Sequence, residues 1–355
     1  MVGHILLGLI LSSFFSIFPQ HDKWIVVTTI QYPTQALKTL ASLPDWHLVV
    51  VGDKKTPQDW HLENCDYLSV QTQEQLPYKI IKYLPWNHYC RKNIGYLYAI
   101  EHGAKIIYET DDDNIVLGNI TYLPKLTKTL CYATDATSVN PYAHFGQPNV
   151  WPRGYPLNRI TTHLPYKLID QQTFIPIQQG LVNKDPDVDA IFRLTHEQEI
   201  TFDANQRPVT LPANTMCPFN SQNTLFHSNA FWGLLIPITT SFRVCDIWRS
   251  YWVQRMLWDL NASLCFLPPT AVQYRNEHNL LKDFADELDV YLKAEELIKF
   301  LNQWHSTKED FAERIKDLMN ELIARNFFKP AEAELVNAWL EDLKILNYKM
   351  PTPVN

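Results

Sequence analysis

Hydrophobic runs typical of buried strands recur between residues 24 and 110 of the chain. Aliphatic and β-branched residues fill 24–30, 47–52 and 104–110, and 65–70 is a shorter candidate. A helix is predicted over 91–102, between the last two of these strands. Strands that are apolar on both faces are typical of parallel sheets covered by helices. The sequence therefore predicts an α/β fold whose ligands bind at the carboxyl ends of the strands.

The middle and the end of the chain have a different composition. Residues 122–274 are rich in proline, asparagine and aromatic residues, which indicates either irregular loops around a pocket or a proline-braced scaffold without a site. Helical spacing predicts a helix over 291–301. A second helix is predicted from a capping box at Ser306 and Glu309 to about residue 325, and a third begins near Pro330.

The chain has 10 glycines in 355 residues, and no two of them are spaced as Gly-x-Gly. The dinucleotide-binding fingerprint and the phosphate-binding P-loop are therefore missing from the sequence. A formal net charge of −7 argues against nucleic acid as a partner, because nucleic-acid binding requires a basic surface. A nucleotide ligand would need something other than a glycine-rich loop to hold its phosphates.

The N-terminus contains an uncharged stretch over residues 5–18. It is shorter than the roughly 20 residues of a membrane-spanning helix and matches the core of a signal peptide. Residues 1–20 are interpreted as a signal peptide or a truncated signal anchor, with a buried hydrophobic N-terminus as the alternative. Six cysteines, none in a C-x-x-C pair, leave open either disulfides of a secretory compartment or buried free thiols.

Asp111, Asp112 and Asp113 directly follow the predicted strand at 104–110. Three adjacent carboxylates repel one another unless a cation neutralises them. Carboxylate oxygens suit Mg²⁺ or Mn²⁺, and these ions commonly bring a substrate phosphate with them. The position predicts a divalent ion that bridges the diphosphate of a nucleotide sugar. A solvated acidic turn is the alternative.

Other candidate residues have weaker signals. Asp53 ends the second predicted strand and could hydrogen-bond a uracil or ribose, although a turn-starting aspartate is the commoner reading. Arg91 opens a predicted helix, where its cation and the first-turn amides can face an anion. Asp246 lies in an aromatic run with Phe242, Trp248, Tyr251 and Trp252. Desolvation by these rings would raise the pKa of Asp246 and suit it to proton transfer, and stacked aromatics such as Trp248 suit a sugar face. A helix with an aromatic core stripe and one exposed acid is the alternative. His278 is a candidate third metal ligand or diphosphate contact.

Several ordered segments together resemble a known family. They are VVGDKKTP at 50–57, RKNIGYLYAI at 91–100, YETDDDN at 108–114, HFGQP at 144–148, WPRGYP at 151–156, QQGLVN at 178–183, DPDVDA at 185–190, PFNSQNT at 218–224 and FRVCDIW at 242–248. On these segments the chain resembles the STELLO-type glycosyltransferases, Golgi proteins known in plants with relatives in other eukaryotes. Family members usually carry a longer cytosolic tail and a full membrane anchor, from which this N-terminus departs.

More distantly, the order of motifs is similar to the reversibly glycosylated polypeptides, which include UDP-arabinopyranose mutases. In that family the arginine of an Arg-Gly-Tyr-Pro segment accepts the sugar, so Arg153 is implied to lie beside the sugar. The resemblances imply a glycosyltransferase-A fold with a mixed, mainly parallel central sheet, a catalytic domain over 21–280 and a helical C-terminal extension over 281–355 packed on it. The implied sites are Asp246 and Arg153 for catalysis, Thr29, Asp53, Arg91, Asp111, Asp112, Asp187, Asp189 and Trp248 for the nucleotide sugar, and Asp111, Asp113 and His278 for the metal.

Three functions follow from this reading. The leading one is a glycosyltransferase, dependent on Mn²⁺ or Mg²⁺, that transfers a sugar from a UDP-sugar to a glycan or protein acceptor. It would work in the lumen of the Golgi or another secretory compartment, or be secreted, with membrane association through the N-terminus. The second is a UDP-sugar mutase that glycosylates itself. The third, implied by the association of STELLO-type proteins with cellulose synthase complexes, is a non-catalytic Golgi factor that binds other glycan-synthesising enzymes.

Overall fold

The computed structural model describes residues 21–162, 166–274 and 279–354. Within them a single mixed sheet of ten strands forms the centre of the molecule. The strands are β1 (Lys23–Thr28), β2 (His47–Val51), β3 (Cys65–Leu68), β4 (Ile106–Thr110), β5 (Asn114–Val116), β6 (Leu126–Ala133), β7 (Lys167–Lys184), β8 (Val209–Thr210), β9 (Asn223–His227) and β10 (Ala262–Gln273).

Helices pack against the faces and one end of this sheet. They are α1 (Gln35–Ala41), α2 (Val70–Gln75), α3 (Lys92–Glu101), α4 (Pro141–His144), α5 (Ala190–Thr195), α6 (Cys245–Trp258), α7 (Leu280–Asp286), α8 (Leu288–Gln303), α9 (Phe311–Ala324) and α10 (Ala331–Ile345). Short 3-10 helices lie at Lys79–Tyr83, Tyr89–Arg91, Leu157–Arg159 and Ser228–Leu234.

The strands lie in the order β3-β2-β1-β4-β9-β7-β6-β8-β10-β5, and β7 also pairs with β10. The first four are parallel, as the sequence predicts. Beyond β4 the pairs β4–β9, β9–β7 and β7–β6 are antiparallel, whereas β7–β10 is parallel. The prediction of a mixed sheet is confirmed. The prediction that it is mainly parallel is wrong for the second half, where five pairs are antiparallel and only β7–β10 and β6–β8 are parallel.

The parallel half follows the sequence pattern closely. Thr34 caps α1 by accepting a hydrogen bond from the Leu37 amide, and Gly103 adopts a φ of +92° just after α3, as expected for a C-terminal cap. Gly95 in α3 lies against the sheet, where an added Cβ would come within 2.6 Å of a Val26 methyl carbon and 2.9 Å of one on Val51. The missing side chain therefore lets α3 pack directly onto β1 and β2.

The expectation of irregular loops over 122–274 is wrong, because this region contains the 18-residue strand β7, the 12-residue strand β10 and helix α6. Strand β7 was hard to recognise from sequence because it contains several buried polar residues. Gln178 and Gln179 are buried, and their amide groups hydrogen-bond backbone atoms of Leu123 and Asn223. In β10, Pro269 coincides with shifts in the register against β7, as expected for proline within a sheet.

The three C-terminal helices α8, α9 and α10 lie near their predicted positions, but the predicted capping box is wrong. Helix α9 begins after Asp310, whose side chain accepts a hydrogen bond from the Glu313 amide. Ser306 instead hydrogen-bonds Asp317. The cap therefore lies four residues later than the sequence signal indicates.

Buried carboxylates attach α10 to loops of the sheet region. Asp342 accepts hydrogen bonds from the backbone amides of Lys79 and Ile80 at 2.8 and 2.9 Å. Glu332, which is fully buried, accepts from the Thr239 amide at 2.9 Å. The C-terminal helices thus share an interior with the rest of the described chain.

All six cysteines lie within the described residues and are unpaired, and five of them are buried. The buried-thiol alternative is therefore the one that the structure supports. The described part of the chain contains no helix that is both long and apolar enough to cross a bilayer. The targeting prediction for residues 1–20 lies outside the described residues.

Candidate functional site

A cleft of about 300 Å³ lies at the carboxyl ends of β1, β2 and β4. Its volume is at the lower end of the range for small-molecule sites, and its position is the one expected for ligand binding in an α/β sheet. The predicted site residues that line it are Thr29, Asp53, Arg91, Asp111, Asp112, Asp113, Arg153, Asp187 and Asp246. The fold thus brings together residues from seven separate segments of the sequence.

The three carboxylates at 111–113 have different partners. Asp111 pairs with the amino group of Lys92 at 3.0 Å, and that lysine is fully buried. Asp112 accepts a hydrogen bond of 2.5 Å from the Thr29 hydroxyl, and burial raises the pKa of Asp112. Both oxygens of Asp113 accept hydrogen bonds from the Gln273 amide, at 3.0 and 2.9 Å. Separate partners reduce the repulsion that three adjacent charges would otherwise have.

The chemistry of Asp111 and Asp113 fits a magnesium-type ion. The Asp111 side chain is 40% exposed, and both residues line the cleft. Over residues 21–162, 166–274 and 279–354, no group of three or more histidine, cysteine or acidic side chains is arranged to hold a metal. Mg²⁺ is commonly bound through only one or two carboxylates together with substrate phosphates, so a pair is sufficient. His278, the predicted third ligand, lies outside the described residues.

Asp53 organises the loop that follows the first 3-10 helix. One carboxylate oxygen accepts hydrogen bonds from the amides of Lys54 and Asn87 at 2.7 and 2.8 Å. The other accepts from the His88 amide at 3.2 Å. Asp53 therefore fixes the backbone of 87–88 at the edge of the cleft, in addition to lying within reach of a ligand there.

Arg91 is almost completely buried although it lines the cleft. Its guanidinium group lies 3.4 Å from the centre of the Trp86 ring and donates hydrogen bonds to Gln73 and to the Leu84 carbonyl. Burial lowers the pKa of Arg91 to about 10. Its Nη2 atom has no hydrogen-bond partner among the described residues, so this cation retains a donor for an anionic or carbonyl oxygen.

Arg153 lies between two carboxylates. It donates to both oxygens of Asp187 at 2.8 and 2.7 Å and to both oxygens of Asp246 at 3.2 Å. It also donates to the Arg243 carbonyl. Burial alone would lower the pKa of Arg153, but the charges of Asp187 and Asp246 outweigh burial and hold it well above its usual range. The Arg153 guanidinium is therefore permanently charged and holds the two carboxylates in place.

Asp246 is the more loosely held of the two carboxylates, because its bonds to Arg153 are longer than those of Asp187. It lies in the first turn of α6, where the helix dipole favours a negative charge. One of its oxygens also accepts a hydrogen bond of 3.2 Å from the Ser221 amide. These contacts hold the Asp246 carboxylate in the lining of the cleft.

Two residues predicted to bind the nucleotide sugar lie outside the cleft lining. Asp189 caps α5, accepting hydrogen bonds from the Phe192 amide at 2.8 Å and the Trp151 indole at 2.6 Å. Trp248 is 1% exposed and packs edge to face against Tyr251 and Phe327 in the core. The structure corrects both predictions: the first is a helix cap, and the second is a core residue that cannot reach a sugar.

The buried position of Asp189 predicts a pH effect on stability. Burial raises its pKa to about 6, although the Phe192 amide and Trp151 oppose that shift, whereas an unfolded aspartate has a pKa of roughly 3.9. The folded state therefore binds the extra proton between about pH 4 and pH 6, so Asp189 lowers stability progressively as the pH rises through that range. Between pH 4 and pH 7 we expect the free energy of unfolding of Asp189→Asn to rise relative to that of the wild type by up to about 3 kcal/mol. Urea unfolding measures this difference.

The matched control is Asp310→Asn, which alters the exposed cap of α9. It separates the general effect of replacing a capping carboxylate by an amide from the effect of burial. Parallel pH profiles for wild type and Asp189→Asn would contradict the prediction.

Several residues that line the cleft or contact its lining were not predicted from sequence. Lys92 reads as a surface lysine, since lysine is rarely buried, but it is fully buried and pairs with Asp111. Gln273 could have been found only by recognising β10. His88 and Tyr89 also line the cleft, but they lie far from Phe242 in the sequence, so no local pattern joins the three rings into a cluster.

Comparison with known proteins shows what this chain is similar to. A family model for the STELLO glycosyltransferases matches residues 243–355. A relative from Arabidopsis thaliana, "Probable glycosyltransferase STELLO1", is 38% identical over 354 residues, or 94% of this chain. "Probable glycosyltransferase STELLO2" from the same plant is 37% identical over 352 residues, or 93% of this chain. The chain is thus similar to STELLO glycosyltransferases over most of its own length. It spans about half the length of these curated relatives, 45% of STELLO1 and 46% of STELLO2.

The STELLO family model matches a stretch that begins in the cleft wall. The stretch includes Arg243 and Asp246, which line the cleft, and continues through α7 to α10. It also includes Glu332 and Asp342, the buried carboxylates that attach α10 to the sheet region. The family signature therefore covers both one wall of the site and the helices packed behind it.

Proposed function

We propose that this chain is a metal-dependent glycosyltransferase. It transfers a sugar from a nucleotide sugar, a UDP-sugar in the first instance, to a glycan or protein acceptor. The reaction takes place in the lumen of the Golgi or another secretory compartment. The proposal includes a glycosyltransferase-A fold. The observation that carries it is the convergence of nine of the predicted site residues on one cleft at the strand ends. The similarity to STELLO glycosyltransferases supports the same function.

The donor would lie along the strand ends. Asp111 and Asp113 would hold Mn²⁺ or Mg²⁺ together with diphosphate oxygens, and the bound ion would neutralise the charge that develops on the leaving diphosphate. Asp53 and the loop it holds would contact the nucleoside. Arg91, whose Nη2 has no hydrogen-bond partner among the described residues, would donate to an oxygen of the donor.

The transfer step is assigned to Asp246. The acceptor hydroxyl oxygen attacks the anomeric carbon of the donor sugar and forms the new glycosidic bond. The bond from that carbon to the diphosphate oxygen breaks, and the nucleoside diphosphate leaves with the electron pair. Asp246 takes the hydroxyl proton as general base, which corresponds to an inverting reaction. Arg153 orients this carboxylate through its two hydrogen bonds.

The geometry of Arg153 disfavours the self-glycosylating alternative. A guanidinium nitrogen must be neutral to attack a sugar carbon, but Asp187 and Asp246 hold the pKa of Arg153 well above its usual range against the opposing effect of burial. Its donors are also occupied by Asp187, Asp246 and the Arg243 carbonyl. We therefore assign Arg153 a positioning role and not the role of a sugar acceptor.

Isothermal titration with UDP in the presence of Mn²⁺ tests the donor site. We expect UDP to bind, Asp113→Ala to weaken Mn²⁺-dependent binding at least tenfold, and EDTA to have a similar effect on the wild type. These losses follow because the carboxylate and the ion both contribute to holding the diphosphate.

Asp170→Asn serves as the control, because Asp170 lies on the surface and pairs with Arg207. Tight UDP binding that persists unchanged in Asp113→Ala would remove the metal site from the proposal.

A further inference from the structure

Phe242 is an exposed aromatic residue in the wall of the cleft. Its exposed fraction is 48%, although it lines the cleft beside buried polar residues. It lies four residues before Asp246, on the segment that leads into α6. An aromatic ring left half open in a cleft that is also lined by charged groups is a surface that a ligand can cover.

The ring belongs to a packed cluster of three. Its centre lies 4.7 Å from that of Tyr89, at an interplanar angle of 76°, and 5.2 Å from that of His88, at 63°. These are the edge-to-face geometries that aromatic pairs prefer. The His88 amide is held by Asp53, so the loop that supports Phe242 is fixed from the strand end.

The same cluster is tied to the proposed general base. The Tyr89 hydroxyl lies 2.7 Å from the sulfur of Cys245, the residue next to Asp246 in the first turn of α6. Tyr89 is partly buried, and the charge of Asp246 contributes to raising the pKa of Tyr89 after the larger effect of burial. Phe242 therefore packs on the side of the cleft where a proton would be taken from an acceptor.

Hydrogen-bonding groups line the cleft around this ring. Asp246, Gln222 and Arg243 all contribute to the lining, and Arg243 is held in place by a 2.9 Å hydrogen bond to Glu287. A pyranose ring combines an apolar C–H face with a rim of hydroxyl groups that both donate and accept. An aromatic surface beside carboxylate, amide and guanidinium groups is complementary to that combination.

We propose that Phe242, supported by His88 and Tyr89, is the subsite for the acceptor and that the acceptor is a carbohydrate. This rests on the proposed glycosyltransferase function. A sugar ring stacks on Phe242, and one of its hydroxyl groups is directed toward Asp246. The diphosphate of the donor lies at the strand ends, where Asp111 and Asp113 follow β4.

The test compares Phe242→Ala with Phe242→Tyr, which keeps an aromatic face. Oligosaccharide binding is measured by NMR titration with cellotetraose, xylotetraose, mannotetraose and chitotetraose as probes, in the presence of saturating UDP and Mn²⁺. Donor binding is measured by titration calorimetry with UDP and Mn²⁺. We expect at least one tetrasaccharide to bind the wild type, with about a tenfold loss in Phe242→Ala, near-normal binding in Phe242→Tyr, and a UDP affinity within twofold of the wild type in both.

Other outcomes separate this proposal from the proposed function. If Phe242→Ala weakens UDP binding and not oligosaccharide binding, the ring stacks on the nucleobase and the acceptor subsite is wrong. If the wild type binds UDP but none of the four tetrasaccharides, the carbohydrate acceptor is overturned, and a protein acceptor becomes the better reading. If a tetrasaccharide binds in a Phe242-dependent way while UDP with Mn²⁺ does not bind, the donor half of the proposed function fails and the carbohydrate subsite stands.

Discussion

Replacing Asp246 by asparagine is expected to slow sugar transfer by between about 10² and 10⁴ while leaving UDP affinity nearly unchanged. The amide keeps the volume of the carboxylate and can still accept a hydrogen bond from Arg153, but it cannot take the proton of an acceptor hydroxyl. The magnitude is the one usual for general-base catalysis. Transfer is measured as UDP released in the presence of an acceptor, and UDP affinity by titration calorimetry with Mn²⁺.

Asp259→Asn is the matched control for this variant. Asp259 follows the other end of α6 and is also ion-paired, with Arg255 at 2.6 Å and Arg314 at 2.9 Å, but it does not line the cleft. Its replacement should lower the melting temperature and leave transfer near the wild-type rate. Equal losses of transfer in both variants would mean that α6 matters for folding alone and that Asp246 is not the base.

Replacing Arg249 by methionine is expected to destabilise the protein by about 3–5 kcal/mol, the usual result of removing one partner of a buried ion pair. Arg249 and Glu109 are both fully buried and are joined by two hydrogen bonds of 3.0 and 2.6 Å. The Tyr96 hydroxyl also donates to Glu109. Without the arginine, the Glu109 carboxylate would remain in the core with an uncompensated charge. Urea unfolding at neutral pH measures the loss.

The control for this effect is Lys293→Met, which breaks an i,i+4 pair with Asp289 on α8. That pair is about one-third exposed on the lysine side, so its loss should amount to a few tenths of a kcal/mol. A loss for Arg249→Met no larger than for Lys293→Met would show that the buried pair is not held as the structure indicates.

The sequence predicted the parallel half of the fold because its strands are apolar on both faces. Val26, Val27 and Val50 are completely buried, and such runs are hard to mistake for anything else. The strands of the second half carry buried glutamines and prolines, which are typical of loops. Their burial depends on hydrogen bonds to distant backbone groups, such as the bonds of Gln178 to Leu123, and no local pattern indicates those.

The site was predictable where a polar residue ends a buried strand. Asp53 and Asp111 fit that rule, and both line the cleft. Asp189 was placed only by the family resemblance, and a resemblance does not distinguish an acid that faces a ligand from one that caps a helix. Trp248 was misplaced because every residue of α6 from Cys245 to Leu257 is buried, so the helix has no polar face from which an exposed aromatic could be recognised.

The carboxylates that attach α10 to the sheet region have a consequence for how this sequence can diverge. Asp342 and Glu332 hydrogen-bond main-chain amides of 79–80 and 238–239, and a main-chain amide is retained under every substitution except proline. Apart from Thr239, whose hydroxyl also donates to Glu332 at 2.6 Å, the residues that donate these amides can therefore exchange their side chains over evolutionary time without loosening the contact. The two acids have no such freedom, because a neutral apolar replacement would leave the amides buried and unpaired. Variation should accumulate on the loop side of this contact, while the helix side stays acidic.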